Sequence, residues 1–179
     1  TVGPLTRLWR RARSLKEIPS DERIAEARNK LGWNDIETFP QNHGIRLKKA
    51  GMALDLGGIA QGWTADDCLK ILRNSGITKA LVDAGGDIAL GDSPPGEKGW
   101  EIEIPALGGK NLLFLANCGI TTAGATYRYL ELDGKRYSHI IDPRTGMALK
   151  HHTLVTVKAP NATIADAWAT AVSVSGEAG

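Results

Sequence analysis

The stretch YLELDGKRYSHIIDPRTG, residues Tyr129 to Gly146, decides the fold class. Leu130 and Leu132 alternate with polar neighbours, and Asp133-Gly134 follows, the dipeptide that best supports a two-residue hairpin turn. The spacing predicts two antiparallel arms over YLELDGKRYSHII. Asp142-Pro143 then starts a second turn, which Gly146 closes. His139 lies on the arm that leads into it. Alternation puts His139 and Ile141 on one strand face and Ile140 on the other. An imidazole sharing its face with an apolar residue is expected to be partly desolvated and held in its neutral, basic form. A plain hairpin does not need that histidine, so something is held there.

Working outward, the same antiparallel grammar recurs among helices. Ser20 to Leu31 reads as a helix capped by Ser20, with acids in its first turn and Gly32 past its end. GIRLKKAGMALDLG alternates around Ala50-Gly51 and is expected to form a hairpin. Ile59, Trp63, Asp66, Leu69, Leu72 and Arg73 then keep helical spacing up to Gly76. KALVDAGGDIAL reads as a buried strand broken by Gly85-Gly86. WEIEI and NLLFLAN read as neighbouring strands, and LVTVKA as another. Asn161 caps a last helix from Ala162 to about Val174. Strands and helices mix without a regular βαβ alternation, so the fold class is α+β: mixed or antiparallel sheets with packed helices.

The 179 residues are enough for one domain with a real core, and 42% hydrophobic against 23% charged residues marks a globular chain. A net charge of +2 is too small to argue for nucleic acid. Arg7, Arg10, Arg11, Arg13 and Lys16 cluster near the start and read as the solvated face of a helix. Cys68 and Cys118 do not make a disulfide framework and are expected to be buried thiols. His43, His151 and His152 read as surface residues. TVGPLTRLW and AVSVSGEAG both read as cut from something longer.

Three further stretches carry possible chemistry. DLGGIAQG, Asp55 to Gly62, is a strand end, a glycine turn and a helix start. Exposed N–H groups and the helix dipole there suit a phosphate, or the run is simply a tight turn. DAGGD, Asp83 to Asp87, sets paired glycines between two acids, as a ligand approach or as a bulge. In NATIADAWATAV, Asp166 and Thr170 stand four residues apart on one helical face. That pair could hold a hard cation such as Mg²⁺, or could be a hydrogen bond on a helix packed through its alanines.

The combination is more specific than its parts. LDLGGIAQGWTAD, VDAGGD, ELDGKRYSHIIDPRTG and VTVKAPNATIADAWATAV, in that order and after TVGPLTRLW, resemble the ApbE family, the FAD:protein FMN transferases once called thiamine-biosynthesis lipoproteins. The resemblance covers nearly all of residues 1–179 and implies a single ApbE-like, T-fold-like domain whose family members continue beyond both ends. It implies FAD as substrate, Mg²⁺ as cofactor, and transfer of FMN to a Thr or Ser hydroxyl of an acceptor protein with release of AMP. Mg²⁺ would sit on Asp166, Thr170 and the backbone carbonyls of Gly58 and Ala169. Asp55, Gln61 and Ile140 match FAD-contacting positions, Ile140 through its backbone. His139 matches the histidine of the transfer step. The family also implies the periplasm or the outer face of a bacterial inner membrane, with a membrane tie only through a lipid anchor outside this stretch. Two departures stand out: Gln61 where many members carry Lys, and Ala123 where a serine is usual. Within TTAGATYRYL, Thr126 stands in the acceptor place of a partial acceptor motif, but Ile120 and Ala123 replace its Asp and its Ser/Thr, and the run reads as strand residues without that function. FAD hydrolysis and non-catalytic FAD binding are the competing readings.

Overall fold

The structure, a computed structural model, describes residues 1–104, 111–124, 129–150 and 154–176. In chain order its elements are α1 (Gly3–Leu15), α2 (Asp21–Asn29), β1 (Ile36–Phe39), a 3-10 turn (Pro40–Asn42), β2 (Gly44–Leu47), α3 (Ala60–Asn74), β3 (Leu81–Asp83) and β4 (Asp87–Leu90). Then come β5 (Trp100–Glu103), β6 (Leu112–Leu115), β7 (Cys118–Ala123), β8 (Tyr129–Leu132), β9 (Lys135–Ser138), β10 (Val155–Ala159) and α4 (Ala162–Ser175). Every strand pairing among the described residues is antiparallel, as the α+β expectation requires. No helix among them is long and apolar enough to cross a membrane. Two compact units divide the chain: Thr1–Asp55 with Ala125–His152, and Leu56–Gly124 with Thr153–Gly179. His151, His152 and Thr126 lie outside the described residues.

The first unit is organised by α1. Leu5, Trp9 and Ala12 recur at helical spacing and are buried together with Ala27, Leu130, Tyr137, Ile141 and Ala148. The Trp9 ring stacks on Tyr137 with centroids 5.7 Å apart, and its indole N–H donates to the Gly146 carbonyl at 2.8 Å. Arg7, Arg10, Arg11 and Lys16 are exposed and Arg13 is half-buried, so the basic cluster is largely a solvated helix face. The β8–β9 hairpin runs in register from Tyr129 opposite Ser138 to Leu132 opposite Lys135. Asp133 and Gly134 both take positive φ, 50° and 68°, the conformation that matches the twist of the arms.

The expected hairpin around Ala50-Gly51 is not formed. Gly51 does turn the chain, at φ 79°. The arm that follows, however, buries Met52 and Ala53, and the Ala53 carbonyl accepts the Gly3 N–H of α1 at 3.2 Å. With that arm tied to a helix, β2 pairs instead with β1, from Ile36 opposite Leu47 to Phe39 opposite Gly44.

The second unit holds a four-stranded sheet in the order β10-β7-β4-β3. The break expected at Gly85-Gly86 is a full reversal, with φ of 78° and 101°, so β3 and β4 pair with each other. Alternation gives the sheet two buried faces. Ile88, Leu90, Cys118 and Ile120 meet Ile102, Trp100 and Leu115 of the β5–β6 hairpin. Ala89 meets Ala65 and Leu69 of α3 and Ala162 of α4. Cys118 is buried as expected; Cys68 is exposed on α3, contrary to expectation, because the buried face of that helix passes through Gly62, Ala65 and Leu69.

Two glycines set how closely these elements approach. A Cβ on Gly119 of β7 would lie 2.1 Å from the Ala162 nitrogen, and one on Gly62 of α3 would lie 2.3 Å from the Ala162 carbonyl oxygen. No side chain fits at either point, so α4 begins in direct backbone contact with both neighbours. Asp66 of α3 completes the junction. Its carboxylate accepts the backbone N–H groups of Ala162 and Thr163, at 3.0 and 2.8 Å, and the Thr163 hydroxyl at 2.5 Å. Asn161 accepts the Ile164 N–H at 2.9 Å, the expected cap.

Candidate functional site

The predicted site residues fall on both units. Gly58, Gln61, Asp166, Ala169 and Thr170 belong to the second; Asp55, His139 and Ile140 belong to the first.

In the second unit the glycine turn and the last helix meet. Asp166 is 5% exposed, and its Oδ2 accepts the Gly62 N–H at 3.1 Å. Burial raises its carboxyl above the usual carboxylate range, while the N–H groups of Gly62 and Gln61 oppose the rise. Thr170, one turn on, faces Gly58: a Cβ on Gly58 would lie 2.9 Å from the Thr170 hydroxyl oxygen. The start of α3 and the Asp166–Thr170 face of α4 are thus brought together. Gln61 is exposed and donates from its side-chain amide to the Ala84 carbonyl at 2.8 Å, which ties α3 to the β3–β4 turn.

Ala169 fits a ligand role less well. It is fully buried, and its carbonyl accepts the Ser173 hydroxyl at 2.8 Å within an unbroken α4. With α4 regular, a metal at this carbonyl would have to share its lone pairs with the bonds already made. Among the described residues no group of three or more His, Cys, Asp or Glu is placed to hold a metal. A cation at this point would have one carboxylate, a hydroxyl and a backbone carbonyl. That donor set suits Mg²⁺, an all-oxygen ion that keeps waters and takes phosphate oxygens.

Beneath α4 lies a group that the sequence reading did not resolve. Asp87 of β4 stands directly opposite Thr121 of β7. They are 7% and 4% exposed, and Asp87 Oδ1 and Thr121 Oγ1 have no hydrogen-bond partner among the described residues. Burial, then the charges of Asp166 and Asp83, push the Asp87 carboxyl up to about 6. The Thr121 hydroxyl eases its ionisation without forming a well-shaped hydrogen bond to it. Asp83, the other acid of DAGGD, is exposed and accepts the Gly86 N–H at 2.7 Å, so it holds the turn.

In the first unit, His139 is exposed at a bend after β9. β9 ends at Ser138, and beyond it the chain pairs with residues 147–149: the Ser138 N–H donates to the Leu149 carbonyl and Ile141 bridges Ala148, with His139 at a bend between the two pairings. The expected desolvation of the imidazole is therefore not found, although Ile141 is buried. The Ile140 N–H donates to the Ser138 hydroxyl at 3.1 Å, and its carbonyl accepts the Leu149 N–H at 3.0 Å. The turn expected at Asp142 forms: the Gly146 N–H donates to the Asp142 carbonyl at 2.7 Å, and Arg144 clamps the Asp142 carboxylate through Nε and Nη2. Arg144 holds that carboxyl below the usual range. Asp55 pairs with Arg10 at 2.9 Å.

The ApbE family profile matches residues 1–179. The FAD:protein FMN transferase of Escherichia coli K12 is 36% identical over 188 residues, covering 98% of this chain and 53% of that protein. A mutant of the flavin transferase ApbE from Vibrio cholerae superposes with a TM-score of 0.86 at 32% identity, over 99% of this chain and 58% of that one. The ApbE protein of Thermotoga maritima gives 0.84 at 32% identity, over 98% and 58%. The chain spans about half the length of the curated relatives it matches.

Proposed function

This chain belongs to the ApbE family, and from that premise we propose that it moves the FMN part of FAD onto a Thr or Ser hydroxyl of an acceptor protein and releases AMP. The observation that carries the proposal is the junction of α3 and α4. It sets Gly58, Asp166 and Thr170 against one another at the start of a helix, where a carboxylate, a hydroxyl and a backbone carbonyl offer oxygen donors for a hard cation.

In this reading the Asp166 carboxylate, the Thr170 hydroxyl and the Gly58 carbonyl would hold Mg²⁺, with the Ala169 carbonyl as a shared donor. The bound ion supplies charge neutralisation on the pyrophosphate oxygens, worth several kcal/mol of transition-state stabilisation. The Gly62 N–H keeps Asp166 oriented, so little reorganisation is left for the moment of reaction. Gln61 and Asp55 contact the nucleotide, each from an existing partner, Ala84 and Arg10. The acceptor hydroxyl oxygen attacks the phosphorus on the FMN side. The bridging P–O bond breaks, AMP leaves with the bond electrons, and the hydroxyl proton passes to His139. His139 is exposed, as a base that meets an incoming protein segment must be.

The test is direct. The chain is incubated with FAD and Mg²⁺, with and without an acceptor protein, and both AMP and flavin fluorescence on the denatured acceptor are followed. AMP together with labelled acceptor is expected. AMP without labelling would make water the acceptor and the chain a hydrolase; neither would leave a binding protein. Asp166→Asn is expected to remove the Mg²⁺-dependent rise in melting temperature while keeping the fold.

A further inference from the structure

Resting on the metal reading above, we infer that Asp87 and Thr121 form a second oxygen pair beneath α4 that positions the water ligands of the cation held by Asp166 and Thr170. The argument begins with the sheet. Asp87 and Thr121 are cross-strand partners on β4 and β7, and the same side of those strands carries Ala89 and Gly119, which lie against α3 and α4. Both side chains therefore face the helices. Gly119 touches the Ala162 backbone, the first residue of α4. Two residues on along a strand and one turn on along a helix each advance about 6–7 Å. That step leads from Gly119 to Thr121 below and from Ala162 to Asp166 above. The electrostatic influence of Asp166 on Asp87 agrees with the placement.

The second observation is what these two groups lack. Asp87 Oδ1 and Thr121 Oγ1 are buried oxygens with no hydrogen-bond partner among the described residues. A buried polar atom left unpaired costs about 1–3 kcal/mol, more when charged, so folded proteins keep such atoms where water or a ligand completes them. Asp83 shows the contrast: it is the outer acid of the same five residues, and its carboxylate is used on the Gly86 N–H. An apolar pair would fit between sheet and helix at lower cost. A carboxylate and a hydroxyl there suit the hydrogens of waters bound to a hard cation, which a small ion held by a single carboxylate keeps. Asp87 then acts through those waters and not as a direct ligand, in keeping with the absence of a three-residue ligand group among the described residues.

The experiment titrates the full chain with Mn²⁺ alone and measures the metal-free melting temperature alongside. Asp87→Asn and Thr121→Val are each expected to weaken Mn²⁺ binding about 10–100-fold, the usual effect of losing a partner of a metal ligand. Both should leave the metal-free melting temperature unchanged or higher, because Asp87→Asn removes a buried charge and Thr121→Val an unpaired buried hydroxyl. Asp166→Asn should abolish binding. Parent-like affinity in both Asp87→Asn and Thr121→Val, with binding lost in Asp166→Asn, overturns the inference and leaves the metal reading intact. So does a metal-free melting temperature that falls in both, which marks a structural pair. Mn²⁺ bound equally by Asp166→Asn, or not at all by the parent, overturns the metal reading itself.

Discussion

Asp87 is where burial and charge conflict most sharply, and its effect on stability has a definite sign. Its carboxyl is raised from about 3.8 to about 6 in the folded chain, so the folded state binds the proton more tightly than the unfolded state does. The stability this contributes is fully present below about pH 3.8 and is lost as pH rises through about 6. A difference of about two between the two values corresponds to on the order of 2–3 kcal/mol. Metal-free parent and Asp87→Asn should therefore diverge in urea unfolding between pH 4 and pH 7, the parent losing more. Parallel curves across that range would show that the carboxyl ionises in the fold without penalty. Asp142 has the opposite sign. Arg144 lowers its carboxyl, so its contribution is present above the unfolded value and lost as pH falls, and Asp142→Asn should flatten the acid limb below pH 4.

The elements that carry strong local signals were legible in the sequence. Asn161 caps α4, Asp133-Gly134 turns β8 into β9, and the Asp166–Thr170 spacing puts both oxygens on one helical face. Pairings set by distant partners were not legible. The Ala50-Gly51 turn exists, yet the arm after it bonds to Gly3 of α1, so β2 pairs backwards with β1. The same limit hid Asp87. Two glycines of positive φ separate it from Asp83, and which acid points inward depends on the pairing of β4 with β7. It also hid Asp66, which caps a helix about 95 residues away. Three hydrogen bonds to a carboxylate, two of them from backbone N–H groups at the helix start, make Asp66→Ala costly by about 2–3 kcal/mol. Amide exchange at Ala162, Thr163 and Ile164 should quicken first in that variant. Uniform loss of protection along α4 would show that the helix does not fray from this end.

Across the whole molecule, the chain leaves the four-stranded sheet at Ala123 and returns at Val155, and these two residues face each other in register. The span between them feeds the first unit. A chain of residues 56–124 joined to 154–179 through a two-residue Asn-Gly turn closes that gap without disturbing the register. It is expected to unfold cooperatively in urea and to bind Mn²⁺ within about threefold of the parent, since α3, α4, β4 and β7 are all retained. A chain that stays unfolded would show that its two core clusters are not sufficient by themselves.

The same excursion has a consequence for synthesis. When β7 leaves the ribosome it can pair with β4 at once, but its other edge waits for β10, and residues 124–154 must be translated first. At bacterial or eukaryotic speeds that interval is roughly two to six seconds. Throughout it, the N–H and C=O groups along one side of Gly119–Ala123 stand open to any strand that arrives, including the same edge of a chain on a neighbouring ribosome. Slow codons between 124 and 154 would lengthen that exposure, and crowded polysomes would raise its cost, so the yield of folded protein should depend on the pace of translation through this stretch.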